Sequence, residues 1–177
     1  MSFHEGLDDL GTYYQIRKVD GTTPILFIHG VGLDHSMWSP QTDFFKNQTT
    51  IVYDLIGHGY STCTQHEVNF EDFSFQIESL LQILRIQKVI IIGFSLGGLI
   101  AAHFSSTRKH YALKTVLFGT IFNRTDEQQK KAAERFINVQ ETYLNAPQQL
   151  DRWFNQDYLS SHPDIAEKIT NILNNNN

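Results

Sequence analysis

Hydrophobic and polar positions divide the first 120 residues into alternating strand-like and helix-like segments. Four short apolar runs, rich in β-branched residues, are typical of strands buried on both faces of a sheet. These runs lie at 25–28, 50–53, 89–92 and 115–118. Residues 13–19 alternate in polarity and predict a half-buried strand, whereas 70–84 and 99–105 carry apolar residues at helical spacing. Strands alternating with helices predict an α/β fold of three layers with a mostly parallel sheet.

The pattern changes after residue 122, where no further β-branched apolar run occurs. Thr125 and Gln128 have the spacing of a capping box, which predicts a helix from there to about Tyr143. Pro147 opens another helical stretch, and Pro163 lies in the first turn of a last one. The C-terminal third is therefore predicted to be helical throughout and attached to the sheet region.

Composition narrows the class of protein. The chain has 177 residues, of which 41% are hydrophobic and 12% aromatic, and this excludes a disordered or fibrous protein. A net charge of -5 argues against binding to nucleic acid phosphates. The lone Cys63 cannot form an internal disulfide, so we expect a cytoplasmic protein. The apolar runs are too short to span a membrane, and residues 1–10 lack the apolar core of a signal peptide. The eight histidines show no metal-binding spacing.

A serine lies between the strongest predicted strand and the helix that follows it. The segment Gly93-Phe94-Ser95-Leu96-Gly97 matches the pattern G-x-S-x-G. A sharp strand-to-helix turn needs small residues two before and two after the serine, and Gly98 lets the helix approach the sheet. Such a turn presents the Ser95 hydroxyl at the carboxyl end of the sheet, where a substrate can reach it. The alternative interpretation is that Ser95 is only the N-cap of the next helix.

A glycine-rich loop, His29-Gly30-Val31-Gly32, leaves another buried strand at the same end of the sheet. An acyl-transfer site needs two N–H donors for the oxygen of the tetrahedral intermediate, each worth about 3 kcal/mol. We expect the backbone N–H groups of Leu96 and Val31 to be these donors. Taken alone the loop is more often an ordinary turn, but beside the serine turn the functional interpretation is favoured.

Three motifs, in this order and approximate spacing, resemble the α/β-hydrolase family. They are His29-Gly30-x-Gly32, Asp54-x-x-Gly57-His58-Gly59-x-Ser61 and Gly93-x-Ser95-x-Gly97-Gly98. Within the family, Gly32-Leu33-Asp34-His35-x-x-Trp38 and Phe122-Asn123-Arg124-Thr125 look most like the 3-oxoadipate enol-lactonase-type esterases. The resemblance implies that residues 1–123 are the N-terminal part of the hydrolase core and 124–177 an incomplete helical cap segment.

The family resemblance implies a serine hydrolase that needs no cofactor and no metal. It carries over Ser95 as the nucleophile and the amides of Val31 and Leu96 as the oxyanion hole. We expect the substrate to be a small-molecule carboxylic ester or lactone. The alternative function is a non-catalytic binding or scaffold protein built on the same fold.

A serine nucleophile needs a base, normally a histidine oriented by a carboxylate. In the family these groups follow the seventh and eighth strands, and neither strand is predicted here. The histidines after Ser95 are His103, His110 and His162, none of them at the end of a later strand. We therefore expect a C-terminally truncated hydrolase that lacks the acid and the base. The alternative is that His162 reaches Ser95 from the cap segment.

Several other residues are candidates with weaker support. An apolar acyl pocket has four candidate lining residues, although each of them taken alone is more often plain core. They are Trp38, Phe94, Trp153 and Phe154. Asp54 and His58 are expected to organise the loop after the predicted strand at 50–53. We expect His103 to pack or face solvent, and Asp34-His35 to begin a helix.

The last predicted strand, Thr115 to Phe118, is expected to form an exposed edge of the sheet. It is apolar and uncharged, and an edge strand presents unpaired N–H and C=O groups. We expect either self-association or a complementary C-terminal fragment to pair with it.

Overall fold

Six strands form one sheet among the described residues of the chain. The computed structural model describes residues 1–121, 123–137 and 146–175. The strands are β1 (Ser2–Leu7), β2 (Tyr13–Lys18), β3 (Ile25–Ile28), β4 (Thr50–Tyr53), β5 (Val89–Phe94) and β6 (Ala112–Phe118). Their order across the sheet is β1-β2-β4-β3-β5-β6. β3 pairs in parallel with β4 and β5, and β5 with β6, whereas β2 pairs antiparallel with both β1 and β4. The sheet is therefore mostly parallel, and the predicted α/β fold is confirmed.

Helices connect these strands in the order that the sequence pattern predicts. They are α1 (Ser39–Phe44), α2 (Phe70–Ile83) and α3 (Leu96–Thr107), with a 3-10 helix at His35–Trp38 before α1. Asn69 and Asp72 form a capping box that begins α2. α3 begins at Leu96, three residues earlier than the apolar periodicity indicates, because the chain enters the helix directly after Ser95.

Both faces of the sheet are covered at its centre, around β3 and β4, as continuous apolar strands require. Leu26 and Ile28 point to one face, where α2 and α3 pack in the larger core cluster. Phe27 and its neighbour Val52 point to the other face, against Trp38. One face therefore holds the two long helices and the other holds the segment that leads into α1.

β1 is the strand that the sequence pattern does not predict. Its side chains are mostly exposed, so they carry no clean apolar alternation. Pairing decides its structure, since Ser2–Leu7 runs antiparallel along Tyr13–Lys18 over the full length of both strands. β1 lies at the opposite end of the sheet from β6.

The remaining residues form a second compact unit, which begins at Ile121. Its described helices are α4 (Asp126–Ile137), α5 (Ala146–Trp153), α6 (Gln156–Ser161) and α7 (Pro163–Asn175). The Thr125–Gln128 capping box is confirmed by reciprocal hydrogen bonds, although the predicted continuation to Tyr143 falls in 138–145, outside the described residues. No strand occurs in the described part of this unit. Its assignment as an incomplete cap segment, residues 124–177, stays a prediction.

Within the part of the chain that the structure describes, no helix has both the length and the apolar character needed to cross a bilayer.

Candidate active site

Ser95 occupies an unusual backbone conformation between β5 and α3. Its φ of 54° and ψ of -115° lie in a region that residues with a Cβ rarely adopt. Such strain costs about 1–3 kcal/mol and persists only where surrounding contacts impose it. The Ser95 N–H donates to the Phe118 carbonyl at 2.9 Å, and the Ser95 carbonyl accepts from Thr120 Oγ1 at 2.9 Å. The residues that follow the edge strand β6 therefore help to hold the turn.

The glycines around Ser95 are required by close backbone approach. A Cβ on Gly93 would overlap the Gly97 carbonyl, and one on Gly97 would overlap the carbonyls of Ile28 and His29. A Cβ on Gly98 would overlap the Thr120 hydroxyl. The turn, the end of β3 and the start of α3 thus share a space that admits no side chain, which agrees with the steric reason inferred from the sequence.

The Ser95 hydroxyl is free of the capping role that the alternative interpretation assigns to it. Ser95 is the N-cap residue of α3 by position, but its side chain makes no capping hydrogen bond. Instead its backbone carbonyl accepts from the N–H groups of Gly98 and Leu99, at 3.0 and 3.3 Å. Among the described residues no hydrogen-bond partner of the hydroxyl is found, so Oγ is available to a substrate.

The loop after β3 lies directly against the serine turn. A Cβ built on Gly30 would come within 3.3 Å of the Ser95 Cβ and 3.0 Å of the Phe94 ring. Within the described part of the chain, the backbone N–H groups of Val31 and Leu96 have no hydrogen-bond acceptor. Two unused donors, one in the Gly30 loop and one directly after the strained serine, are groups of the kind that can stabilise a developing oxyanion.

His29 anchors the start of this loop from a fully buried position. Its Nδ1 lies 2.8 Å from the Gly30 carbonyl oxygen, and its Nε2 accepts from the Leu55 N–H at 3.0 Å. These contacts require a proton on Nδ1 and none on Nε2. Burial, and the neighbouring charge of His58, lower the pKa of His29 to about 3, so the ring is neutral near pH 7. His29 therefore anchors the loop, since both of its ring nitrogens are occupied by the hydrogen bonds to Gly30 and Leu55.

Asp54, at the end of β4, is buried and anchors the other end of the same loop. Its Oδ1 accepts from the His35 N–H at 2.7 Å and lies 2.8 Å from His35 Nδ1, while Oδ2 accepts from the Tyr60 N–H at 2.9 Å. The expected role of Asp54 as a loop organiser agrees with these contacts, and Asp34-His35 begins a helix as expected. The contribution of His35 was not predicted, since nothing in the sequence spacing links residues 35 and 54.

Asp34, His35 and Asp54 also bring their potential ligand atoms within 4.8 Å of one another. Each of these atoms has a partner within the protein, because the Asp34 carboxylate accepts from the Ser36 N–H at 2.8 Å and the other two groups pair together. We interpret the cluster as a hydrogen-bonded ion pair beside a helix cap.

The four candidate pocket residues fall in different places. Trp38 is only 4% exposed and packs on Phe27 with ring centroids 5.0 Å apart, so it belongs to the core. Phe94 touches the position of Gly30 and lies next to Ser95. Trp153 and Phe154 belong to the second compact unit, where Phe154 stacks on Tyr158.

No histidine contacts the Ser95 hydroxyl among the described residues. His103 Nδ1 lies 2.8 Å from the Ser74 hydroxyl and its ring stacks on Phe70, so the packing role expected for it agrees with the structure. His58 Nδ1 lies 3.1 Å from the Ile56 carbonyl, within its own loop. His162 contacts Tyr158 in the second unit. The described part of the first unit therefore presents a serine hydroxyl and two unused N–H donors without a base.

The family described as alpha/beta hydrolase fold matches residues 23–171 of the chain. An (E)-2-((N-methylformamido)methylene)succinate hydrolase from Acinetobacter baylyi is 29% identical over 134 residues, which are 75% of this chain and 51% of the relative. The 3-oxoadipate enol-lactonase 2 of the same organism is 25% identical over 154 residues, 84% of this chain and 56% of the relative. The resemblance to enol-lactonases inferred from the motifs is thereby confirmed.

Among solved structures, an enol-lactonase from Burkholderia xenovorans superposes with a TM-score of 0.81 at 23% identity. It covers 93% of this chain, which in turn covers 65% of that protein. This likeness concerns the fold. The chain spans about half the length of the curated relatives it matches.

Proposed function

The chain belongs to the α/β-hydrolase family. On this basis we propose that Ser95 is the nucleophile of an acyl-transfer reaction. The observation that carries the proposal is the strained backbone of Ser95, at φ 54°, with the Gly30 loop packed directly against it. Strain of this kind is kept where function requires it, and here it presents a hydroxyl with no structural partner among the described residues.

The proposed reaction forms and then breaks an ester on Ser95. The serine oxygen attacks the carbonyl carbon of the substrate, and the N–H groups of Val31 and Leu96 stabilise the oxyanion that develops. Collapse of the tetrahedral intermediate releases the alcohol, or opens the ring of a lactone, and leaves the acyl group on Ser95. Water then attacks the acyl group and releases the acid. This sequence of steps uses no cofactor and no metal.

The substrate class is a carboxylic ester or lactone of small size. Two observations support this choice: relatives named as an enol-lactonase and a succinate-derivative hydrolase, and the order of the loop and serine motifs. Phe94, beside Gly30, supplies an apolar surface next to the reacting oxygen. We further propose that residues 124–177 are the family's helical cap segment.

The proton of the Ser95 hydroxyl needs an acceptor that the described part of the first unit does not supply. We propose that the acid and the base come from polypeptide that pairs with this chain. The strand that would receive it is β6, whose side chains at Val116, Leu117 and Phe118 are 46%, 51% and 61% exposed. β6 pairs with β5 alone among the described strands, so its other edge offers free backbone groups to a complementary fragment or a second copy.

A second candidate function is a non-catalytic binding or scaffold protein. The observation that favours it is the same Ser95 hydroxyl, which has no base within hydrogen-bond reach among the described residues. A serine without an activating base is a weak nucleophile, so this alternative predicts no covalent chemistry at Ser95.

Reaction with a fluorophosphonate, mapped by mass spectrometry, separates the two functions. One oxyanion donor typically contributes about 10²–10³ in rate, so we expect Ser95 to react at least about 100-fold faster than the exposed Ser161. Ser95→Ala should abolish labelling of that peptide. Equal labelling of Ser95 and Ser161 would favour the scaffold, whereas serine-dependent ester turnover at ordinary enzymic rates would contradict the missing base.

A further inference from the structure

The loop that carries the Val31 donor is tied at both ends to the segment after β4. At its start, the His29 ring bridges the Gly30 carbonyl and the Leu55 N–H. At its end, the Asp54 carboxylate binds both the backbone N–H and the ring Nδ1 of His35, at 2.7 and 2.8 Å. Five residues, 30–34, lie between the anchors His29 and His35, so we expect a shift of either anchor to move the Val31 amide.

Val31 itself contributes little to its own placement. Its side chain is 39% exposed, and Gly32, the next residue, has a φ of 72° that most side chains avoid. The Leu33 N–H donates to the Gly30 carbonyl at 3.2 Å and closes a tight turn over Val31. The direction of the Val31 N–H is therefore set by the contacts on either side of the turn.

The Asp54 side chain is suited to hold this position because it is buried and fully engaged. It is 0% exposed, and the Tyr60 N–H occupies its second oxygen. A Cβ on Gly59 would overlap the Asp54 carboxylate, so the loop after β4 is also closely packed around it. A buried carboxylate with three such bonds resists displacement, since losing a charged partner leaves an uncompensated charge.

We propose that the His35–Asp54 ion pair is a positioning element that holds the Val31 N–H at the oxyanion of the reaction proposed above. The inference rests on the proposed role of Ser95, and it adds two residues that touch neither the hydroxyl nor the substrate. An oxyanion donor acts only if it is preorganised, and a displacement of about 1 Å costs on the order of 10²-fold in rate.

The charge on His35 depends on the groups packed around its ring. Burial alone would lower the pKa of His35, but the hydrogen bond and the charge of Asp54 outweigh burial and raise the pKa above its ordinary value. Burial alone would raise the pKa of Asp54, and the His35 hydrogen bond and charge instead hold it below its usual range. The other titratable groups facing His35 are Asp34, Glu5, His29, Tyr13 and Tyr60.

Two substitutions of His35 separate positioning from folding. His35→Ala removes the side-chain bond to Asp54, whereas His35→Asn retains an amide N–H at about the place of Nδ1 and cannot titrate. We expect the rate of Ser95 labelling by a fluorophosphonate to fall at least tenfold in H35A and less than threefold in H35N. His103→Ala, which removes a comparable ring contact to Ser74, is the matched control and should keep the wild-type rate.

The pH profile gives a readout that a purely structural role would not change. The rate of Ser95 labelling in the wild type, divided by that in H35N, should decrease as pH rises through the pKa of His35. The reason is that His35 loses its positive charge, whereas the amide side chain in H35N has no charge to lose. A ratio that stays constant between about pH 5.5 and about pH 9 would show that the positive charge on His35 does not contribute to positioning.

Amide hydrogen exchange tests the positioning without any chemistry at Ser95. H35A should accelerate exchange at residues 31–34 at least tenfold over H35N, and H103A should leave these residues unchanged. If wild-type Ser95 does not label, the proposed function fails while the exchange result still decides the positioning. Wild-type labelling and wild-type exchange in H35A together would overturn this inference.

Discussion

The backbone conformation of Ser95 is strained because the residue carries a Cβ. At φ 54° and ψ -115° a Cβ is disfavoured. Within the described residues the Ser95 hydroxyl makes no hydrogen bond that would offset the strain energy. The surrounding bonds from Phe118 and Thr120 use backbone atoms of Ser95 and do not depend on its side chain. The side chain at this position is therefore expected to be destabilising.

Replacing Ser95 with glycine should stabilise the chain. Relief of about 1–3 kcal/mol of strain exceeds the roughly 0.4–1 kcal/mol that a glycine adds to unfolded-state entropy. We expect the free energy of unfolding of S95G to exceed that of S95A by about 1 kcal/mol in urea denaturation, with both variants inactive toward fluorophosphonate. S95A is the matched control because it removes the hydroxyl and keeps the Cβ. A lower stability of S95G would show that the turn is not strained.

At the level of elements, the sheet ends differ in the way their edges are protected. β1 is paired along β2 and mixes the polar Ser2, His4 and Glu5 with the exposed Phe3 and Leu7, whereas residues 115–118 of β6 carry no charged side chain and present apolar side chains on both faces. Leu113, Val116, Leu117 and Phe118 are 50%, 46%, 51% and 61% exposed, and Leu117 lies on the opposite face from Val116 and Phe118. Exposed edges of this kind promote association between chains.

A lysine on β6 should reduce self-association of the isolated chain. Lysine at an edge strand is disfavoured in a strand-to-strand contact because its charge would have to be desolvated. We expect Val116→Lys to shift the sedimentation profile toward monomer at a concentration of about 100 μM, on the order of that at which weak contacts form. Ile83→Lys on α2, where the native side chain is also 46% exposed, is the matched control. An unchanged profile in both variants would contradict association through β6.

At the scale of the whole molecule, stability is coupled to pH through the buried anchor His29. The pKa of His29 is about 3 in the folded chain, because burial disfavours its charged form, and about 6.5 in the unfolded chain. Below pH 6.5 the unfolded state binds a proton that the folded state does not, so folding stability falls as pH falls. The loss approaches about 1.4 kcal/mol per pH unit and ends near pH 3.

The free energy of unfolding should fall by about 2 kcal/mol through His29 between pH 7 and pH 5. His29→Asn should remove most of this difference while lowering stability at both pH values, and His110→Asn, at an exposed position, should retain it. The lowered pKa of His58 acts in the same direction, and the raised pKa of His35 opposes it. Urea unfolding at both pH values measures the difference, and an equal loss in H29N and wild type would refute the assignment.

Local sequence was sufficient to predict the strands that form the centre of the sheet and the helices that begin with a capping box. Apolar runs such as 89–92 and boxes such as Thr125–Gln128 act over a few residues, so their structure follows from neighbouring side chains. β1 could not be predicted in this way, because a strand with exposed side chains is specified by its pairing partner.

The sequence by itself determined the serine turn, the glycine loop and their place in the chain. Glycine spacing around Ser95 reflects steric limits that apply in any strand-to-helix turn of this kind. Only the tertiary structure brought Gly30 against Ser95, joined Thr120 to the turn and paired His35 with Asp54. These contacts join residues 19 to 65 positions apart in the sequence, and their partners are chosen by how parallel strands align at one edge of the sheet.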